Sequence, residues 1–271
     1  MKNTKRLFNM DALYLPVVRI TCIIVPLILL FPCMSHAEGQ VSKILLEMEK
    51  RQELETDLTA KVTLTEQRTR QGIRQHEYIY YRRDSDDAYL IVTVSPDREK
   101  GNGYLRVEDN MWMYRQNTRT FQHLSRGDKI DGTDMTVEDF ERRKFTELYG
   151  PIMDENGTEI YSEEILGEIP VYKFEVRAKV KDVNYPKHIY WVRRDNYLLL
   201  KAEDYSLSGT LMYTSYFIKY TQIENIYIPL KFITVDQFEE GNKTIGEISG
   251  ISLNPIDDAV FTKAYLENLS K

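Results

Sequence analysis

Residues Arg106 to Phe140 read RVEDNMWMYRQNTRTFQHLSRGDKIDGTDMTVEDF, and this stretch decides the fold. Glu108-Asp109-Asn110 is a tight turn, and Met111 to Tyr114 is a short strand of large apolar side chains. Gln116-Asn117-Thr118 turns the chain again, and Thr120 to Leu124 is a further strand. The pattern is a repeated β-hairpin. A polar run follows, and Thr136-Val137-Glu138-Asp139 then resembles a capping box that opens a helix to about Leu148, before Gly150-Pro151.

The same period of two extends in both directions. Ala60, Val62 and Leu64 alternate with Lys61, Thr63 and Thr65. His76 to Arg83, Ala88 to Val94 and Tyr104 to Val107 continue the pattern upstream of the hairpin. Downstream come Val171 to Val180, His188 to Arg193, Tyr197 to Tyr205, Thr210 to Tyr220, Ile226 to Asp236 and Lys243 to Leu253. Each run is rich in Tyr, Ile, Val, Thr and Phe and ends in turn formers such as Ser208-Gly209. Short connections favour antiparallel neighbours. The expected fold class is mainly β (α+β): an unclosed, strongly curved antiparallel barrel of roughly ten or eleven strands, with helices covering its mouth.

Two further helices are expected. Val41, Ile44, Leu45, Met48, Leu54 and Leu58 recur at helical spacing, which predicts an amphipathic helix over Val41 to Leu58. Asn254-Pro255 opens a last helix carrying Val260, Phe261, Tyr265, Leu266 and Leu269.

The first residues speak to compartment. Lys2, Lys5 and Arg6 precede a nearly all-apolar run from Ile20 to Phe31, too short to span a bilayer, and Ser35-His36-Ala37 offers a cleavage site. Residues 1–37 are therefore expected to be a secretory signal peptide and residues 38–271 a single periplasmic domain. Cys33 follows bulky Phe31 and Pro32, which fits lipid attachment badly. Both cysteines, Cys22 and Cys33, lie in this leader, so the exported domain relies on its apolar core and not on disulfides. The formal net charge of −6 argues against nucleic acid as a partner.

Catalytic patterns are weak. His76, His123 and His188 stand far apart inside expected strands, in no metal-ligand spacing. Ser125 near His123 is a chance strand-end pair, without the relay that a nucleophile needs. Asp128, Asp131, Asp134, Glu138 and Asp139 do not follow the spacing of a calcium loop and suit a helix start. The residues call for no cofactor, no metal and no enzymatic activity.

The positive feature is aromatic content: 19 Tyr, 10 Phe and 2 Trp, more than one buried sheet face requires. Broad aromatics and polarizable Met suit a cavity that adapts to apolar ligands. The candidate lining comprises Tyr78, Tyr80, Leu90, Val92, Met111, Trp112, Met113, Tyr114, Trp191, Leu198 and Leu200. Strand alternation sends about half of these to the other face.

The run from Leu105 to Phe140, with DNMWMY, NTRTF and GTDMTVEDF, resembles the outer-membrane lipoprotein-sorting protein family, the LolA-like superfamily. Tyr190 to Tyr213 and Tyr227 to Phe232 resemble the strands that follow in that family. The resemblance implies an open barrel whose apolar cavity shelters acyl chains of lipoproteins or lipids during transfer between membranes. It also implies an inner-membrane exporter and an outer-membrane acceptor as partners. The arginine that holds the family's lid closed has no counterpart at its place, near Leu90, and Arg82 and Arg83 are the basic residues closest to it. The alternative is a protein-binding sensor or exporter-accessory module that uses the same fold without lipid cargo.

Overall fold

The computed structural model describes residues 39–125, 127–130, 137 and 143–269. The leader, and residues 136 and 138–142 of the helix expected from Thr136 to about Leu148, lie outside the described residues. The helical part described there is α2, Phe145–Leu148.

The described chain is dominated by one antiparallel sheet. Its strands are β1 (Leu58–Arg68), β2 (Gly72–Arg83), β3 (Ala88–Ser95), β4 (Gly103–Val107), β5 (Asn110–Arg115), β6 (Thr120–Leu124) and β7 (Tyr149–Pro151). They continue with β8 (Tyr161–Leu166), β9 (Ile169–Ala178), β10 (Lys187–Arg193), β11 (Leu199–Tyr205), β12 (Leu211–Ile223), β13 (Ile226–Asp236) and β14 (Lys243–Ser252). The order across the sheet is β6-β5-β4-β3-β2-β1-β14-β13-β12-β11-β10-β9-β7, and β8 pairs with β9. Strands β6 and β7 end the path without pairing to each other, so the barrel is unclosed. The strand count is 14, not ten or eleven. β7 is only three residues long and β8 reads YSEEIL, with no alternation to announce it.

One register runs through the sheet. Ala60 lies opposite Tyr80, Tyr80 opposite Ile91, and Ile91 opposite Tyr104. Tyr104 in turn faces Met113. On the other side Leu64 faces Gly246 and Gly246 faces Phe232. Strand alternation therefore assigns all of these to one concave face. Gly246 is required there, because a Cβ on it would stand 2.1 Å from the Phe232 ring.

Helix α1 (Gln40–Lys50) buries Val41, Ile44 and Leu45 against Phe174, Val176, Tyr190 and Val192 of that concave face. The Glu159 carboxylate caps it, accepting the Val41 N–H at 2.6 Å and the Ser42 N–H at 3.2 Å. The helix expected over Val41 to Leu58 stops at Lys50. Tertiary hydrogen bonds draw the following backbone away: Arg82 takes the Gln52 carbonyl and Asp84 takes the Leu54 N–H. Leu54 and Leu58 join a separate cluster with Ala60 and Ile226.

The expected last helix is also interrupted. Asp257 caps a 3-10 turn at Asp258–Phe261, Thr262 is extended, and α3 (Lys263–Leu269) follows. This end packs on the convex face, where Val260, Phe261 and Leu266 cover Leu90, Val92, Leu105 and Tyr114.

Candidate functional site: a largely apolar cavity in the concave face

The concave face encloses a cavity of about 590 Å³. Leu58 and Val62 of β1, Ile248 of β14, Ile226, Ile228 and Phe232 of β13, and Phe217 and Tyr220 of β12 line it across four consecutive strands, with Leu54 from the segment after α1. Tyr78 and Tyr80 complete the lining from β2. A second cleft of about 560 Å³ adjoins it, sharing Gln52, Arg82, Tyr190 and Leu199, and is bordered by Leu45 and Met48 of α1. Small-molecule sites occupy roughly 300–1,000 Å³.

Most polar groups in the wall are paired, although the Arg51 Nε is buried without a hydrogen-bond partner. His188 Nδ1 lies 2.7 Å from Asp204 Oδ1, and the imidazole stacks on Tyr190 and meets Tyr149 edge-on. The Ser215 and Thr234 hydroxyls lie 2.9 Å apart. The Tyr220 hydroxyl donates to the Leu199 carbonyl at 2.7 Å. Burial pushes the Tyr80, Tyr190 and Tyr220 phenols above their ordinary value, so none ionises near neutral pH. Neutral rings and aliphatic groups make up most of the wall, beside Arg51, Arg82 and Asp204.

At one end Arg82 is fixed. It donates to both Asp84 oxygens, at 2.6 and 2.8 Å, and to the Gln52 carbonyl at 3.0 Å. It thereby ties the segment after α1 to the rim of β2. Arg51, in that same segment, lies over the rings of Tyr197 and Tyr227 at 6.0 and 5.5 Å.

Of the eleven candidates, Tyr78 and Tyr80 line the cavity directly. Met111 and Met113 share their face and sit deeper, in the cluster with Tyr78, Tyr104 and Ile91. Leu90, Val92, Trp112 and Tyr114 do not reach it. The register places all four on the convex face, where Leu90, Val92 and Tyr114 pack under α3 and Lys263 lies 3.2 Å from the Trp112 ring centroid. Trp191 is also outside, with Lys201 at 4.0 Å and Lys173 at 5.2 Å from its ring. Leu198 and Leu200 flank the residue that does line the cavity, Leu199. A bulge opposite Trp191 and Val192 breaks the alternation there. Sequence reasoning missed β12 to β14 as a source of lining. Only Ile248, between Glu247 and Ser249, carried a clear alternation; Phe217 and Ile228 stand among apolar and aromatic neighbours, which hides the face they take.

Among the described residues no group of three or more His, Cys, Asp or Glu side chains is placed to hold a metal. No helix among them is long and apolar enough to cross a membrane.

Similar folds occur in solved structures. A putative outer-membrane lipoprotein-sorting protein domain from Vibrio parahaemolyticus is 18% identical and superposes with a TM-score of 0.71, covering 83% of this chain and 97% of its own. A LolA superfamily protein from Nitrosomonas europaea is 22% identical, with a TM-score of 0.67 over 82% of this chain and 97% of that one. A protein from Desulfovibrio piger, of a domain family without assigned function, is 20% identical with a TM-score of 0.71, covering 83% and 96%. No curated protein matches significantly in sequence. A family model described as "Uncharacterized protein" matches residues 85–268. The chain belongs to that family, and its fold is that of the LolA superfamily.

Proposed function

We propose that the protein is a non-enzymatic periplasmic carrier, exported by a leader cleaved after Ala37, that shelters acyl chains of lipids or lipoproteins. The observation that carries this reading is the cavity of about 590 Å³ between the concave sheet and the segment after α1, lined mainly by aliphatic and aromatic side chains, with Arg51, Arg82 and the His188–Asp204 pair as its charged or titratable members. Hiding an acyl chain from water is worth roughly 0.8 kcal/mol per buried methylene, enough to hold a long chain reversibly. An unclosed sheet lets that chain enter and leave without unfolding the wall. Arg82 acts as the latch, because its bond to the Gln52 carbonyl holds the segment that α1 must carry away when the mouth widens. An inner-membrane exporter and an outer-membrane acceptor are the partners this reading implies. A sensor or accessory module without cargo would be served by a filled interior, and the interior here is hollow.

Organic extraction of the protein purified from the envelope, followed by mass spectrometry, tests the reading. Stoichiometric acyl lipid or acylated peptide is expected. A lipid-free extract, together with no binding of a fluorescent fatty acid, overturns it.

A further inference from the structure

The three most exposed large apolar side chains among the described residues are Leu207 at 90%, Ile73 at 72% and Phe238 at 71%. They are not scattered. Leu207 and Phe238 lie in the β11–β12 and β13–β14 turns, and Ile73 is the second residue of β2, beside the β1–β2 turn. Those six strands are consecutive in the sheet, in the order β2-β1-β14-β13-β12-β11. All three turns therefore point to the same end of the barrel. They also stand level: Gln67 faces Lys243, Lys243 faces Val235, and Val235 faces Thr214, just below the tips. At strand spacing the outer two tips are roughly 20 Å apart.

The tips are built to hold this display. Each contains a glycine in the left-handed region, Gly72, Gly209 and Gly241, with φ of 81°, 82° and 86°. Such turns are tight and leave the apolar side chain no wall to fold against. Neighbouring tips are tied together: the Thr69 N–H donates to the Asn242 side chain at 3.0 Å, and the Gln237 N–H donates to the Met212 carbonyl at 2.8 Å. The β3–β4 connection, Pro96 to Asn102, and the β5–β6 connection, Gln116 to Arg119, are polar, and in the β9–β10 connection Val180 and Val183 pack against the core.

We propose that this rim docks on a phospholipid surface by inserting Ile73, Leu207 and Phe238 into the bilayer interface. A protein partner of standard size needs a contiguous patch of roughly 800 Å² per side. Here each apolar side chain stands alone among polar turn residues, an arrangement a fluid interface accepts and a rigid partner does not. Charge does not drive the docking. Arg68, Arg70, Arg74 and Lys243 nearly balance Asp236, Glu239 and Glu240 at the tips, and the whole chain carries a net charge of −6. Insertion is thus apolar, insensitive to salt and independent of anionic lipid. The lining of the cavity reaches Asp204, Thr234 and Thr244, a few residues below the tips, so the rim would bring the wall of the cavity to the membrane surface.

The chain from Glu38 to Lys271 forms its own compact unit and is the protein to use. The measurement is flotation with phosphatidylethanolamine vesicles, with and without phosphatidylglycerol, at low and high salt. Wild type is expected to float under all four conditions. The triple variant I73S/L207S/F238S is expected to lose about tenfold or more in partition, with each single change giving part of the loss. Unchanged melting temperature and unchanged fatty-acid binding by the triple variant confirm that fold and cavity are intact. Equal flotation of wild type and triple variant, or flotation abolished by salt, overturns the proposal. So does a wild-type chain that never floats yet cross-links through these tips to an envelope protein. Wild type that floats but binds no fatty acid leaves the rim standing and removes the carrier reading instead.

Discussion

The Arg83 guanidinium grips the Asp57 carboxylate through two parallel hydrogen bonds of 2.9 Å each, joining β2 to the residue that enters β1. The same carboxylate accepts the Ile256 N–H at 2.6 Å, and Arg83 also reaches Asp258 and the Ile256 carbonyl. One arginine thus pins the C-terminal segment to the start of the sheet. Replacing Asp57 by Asn leaves the Arg83 charge and the Ile256 N–H short of an acceptor, and a loss of about 1–3 kcal/mol is expected by urea unfolding.

The pair also sets an acid limit. The hydrogen bond from Arg83 holds the Asp57 carboxyl below its ordinary value. A carboxylate with a lowered folded value stabilises the fold fully above the range where the unfolded residue titrates, about pH 4. That stabilisation is lost as pH falls through the folded value. Melting temperature against pH should therefore drop less steeply on the acid side for D57N than for wild type.

An alkaline counterpart sits at the same corner. Burial, aided by a hydrogen bond with Tyr265 of α3, pushes the Tyr81 phenol up to about 12. The neutral phenol is favoured by folding, so its contribution is complete below about pH 10 and is lost as pH rises through about 12. Spectrophotometric titration should show one late-titrating tyrosine fewer in Y81F, with its stability less sensitive to alkali than that of wild type.

The two sheet faces are expected to separate stability from cargo. Leu90 is fully buried on the convex face beneath Leu266. Truncating it to Ala should cost about 2–5 kcal/mol of stability while leaving fatty-acid affinity of the folded protein within about twofold. Val62 is half-buried and lines the cavity. V62W fills that space, and affinity for a fluorescent fatty acid should fall about tenfold or more at little cost in stability.

Loosening the latch has a third signature. R82Q removes both bonds to Asp84 and weakens the hold on Gln52. Faster release of a bound fluorescent acyl probe is expected in stopped-flow displacement, with an unchanged or faster on-rate.

Most strands were legible from their β-branched and aromatic residues and from turns that carry Gly, Asn and Asp, whereas β7 and β8 were not, one too short and the other without alternation. Tyr78 and Tyr80 could be read as lining for the same reason. Leu90, Val92 and Tyr114 could not be told from lining, because an apolar side chain under α3 looks the same in sequence as one facing a cavity. Trp191 misled differently: an outward Trp flanked by Lys173 and Lys201 on adjacent strands reads as core until the pairing is known. The helix expected to reach Leu58 kept its apolar spacing, yet Arg82 and Asp84, some thirty residues on, take the backbone groups after Lys50. Nothing local to Gln52 or Leu54 announces that long-range choice.

The most direct measurement of the central claim is site mapping with a photoactivatable fatty acid bound to the purified protein. Cross-links are expected on peptides carrying Val62, Tyr78, Tyr80, Phe217, Phe232 or Ile248, and they should disappear in V62W. Cross-links confined to the convex face, at Leu90, Trp112 or Trp191, or none that saturate, would contradict an acyl-binding interior.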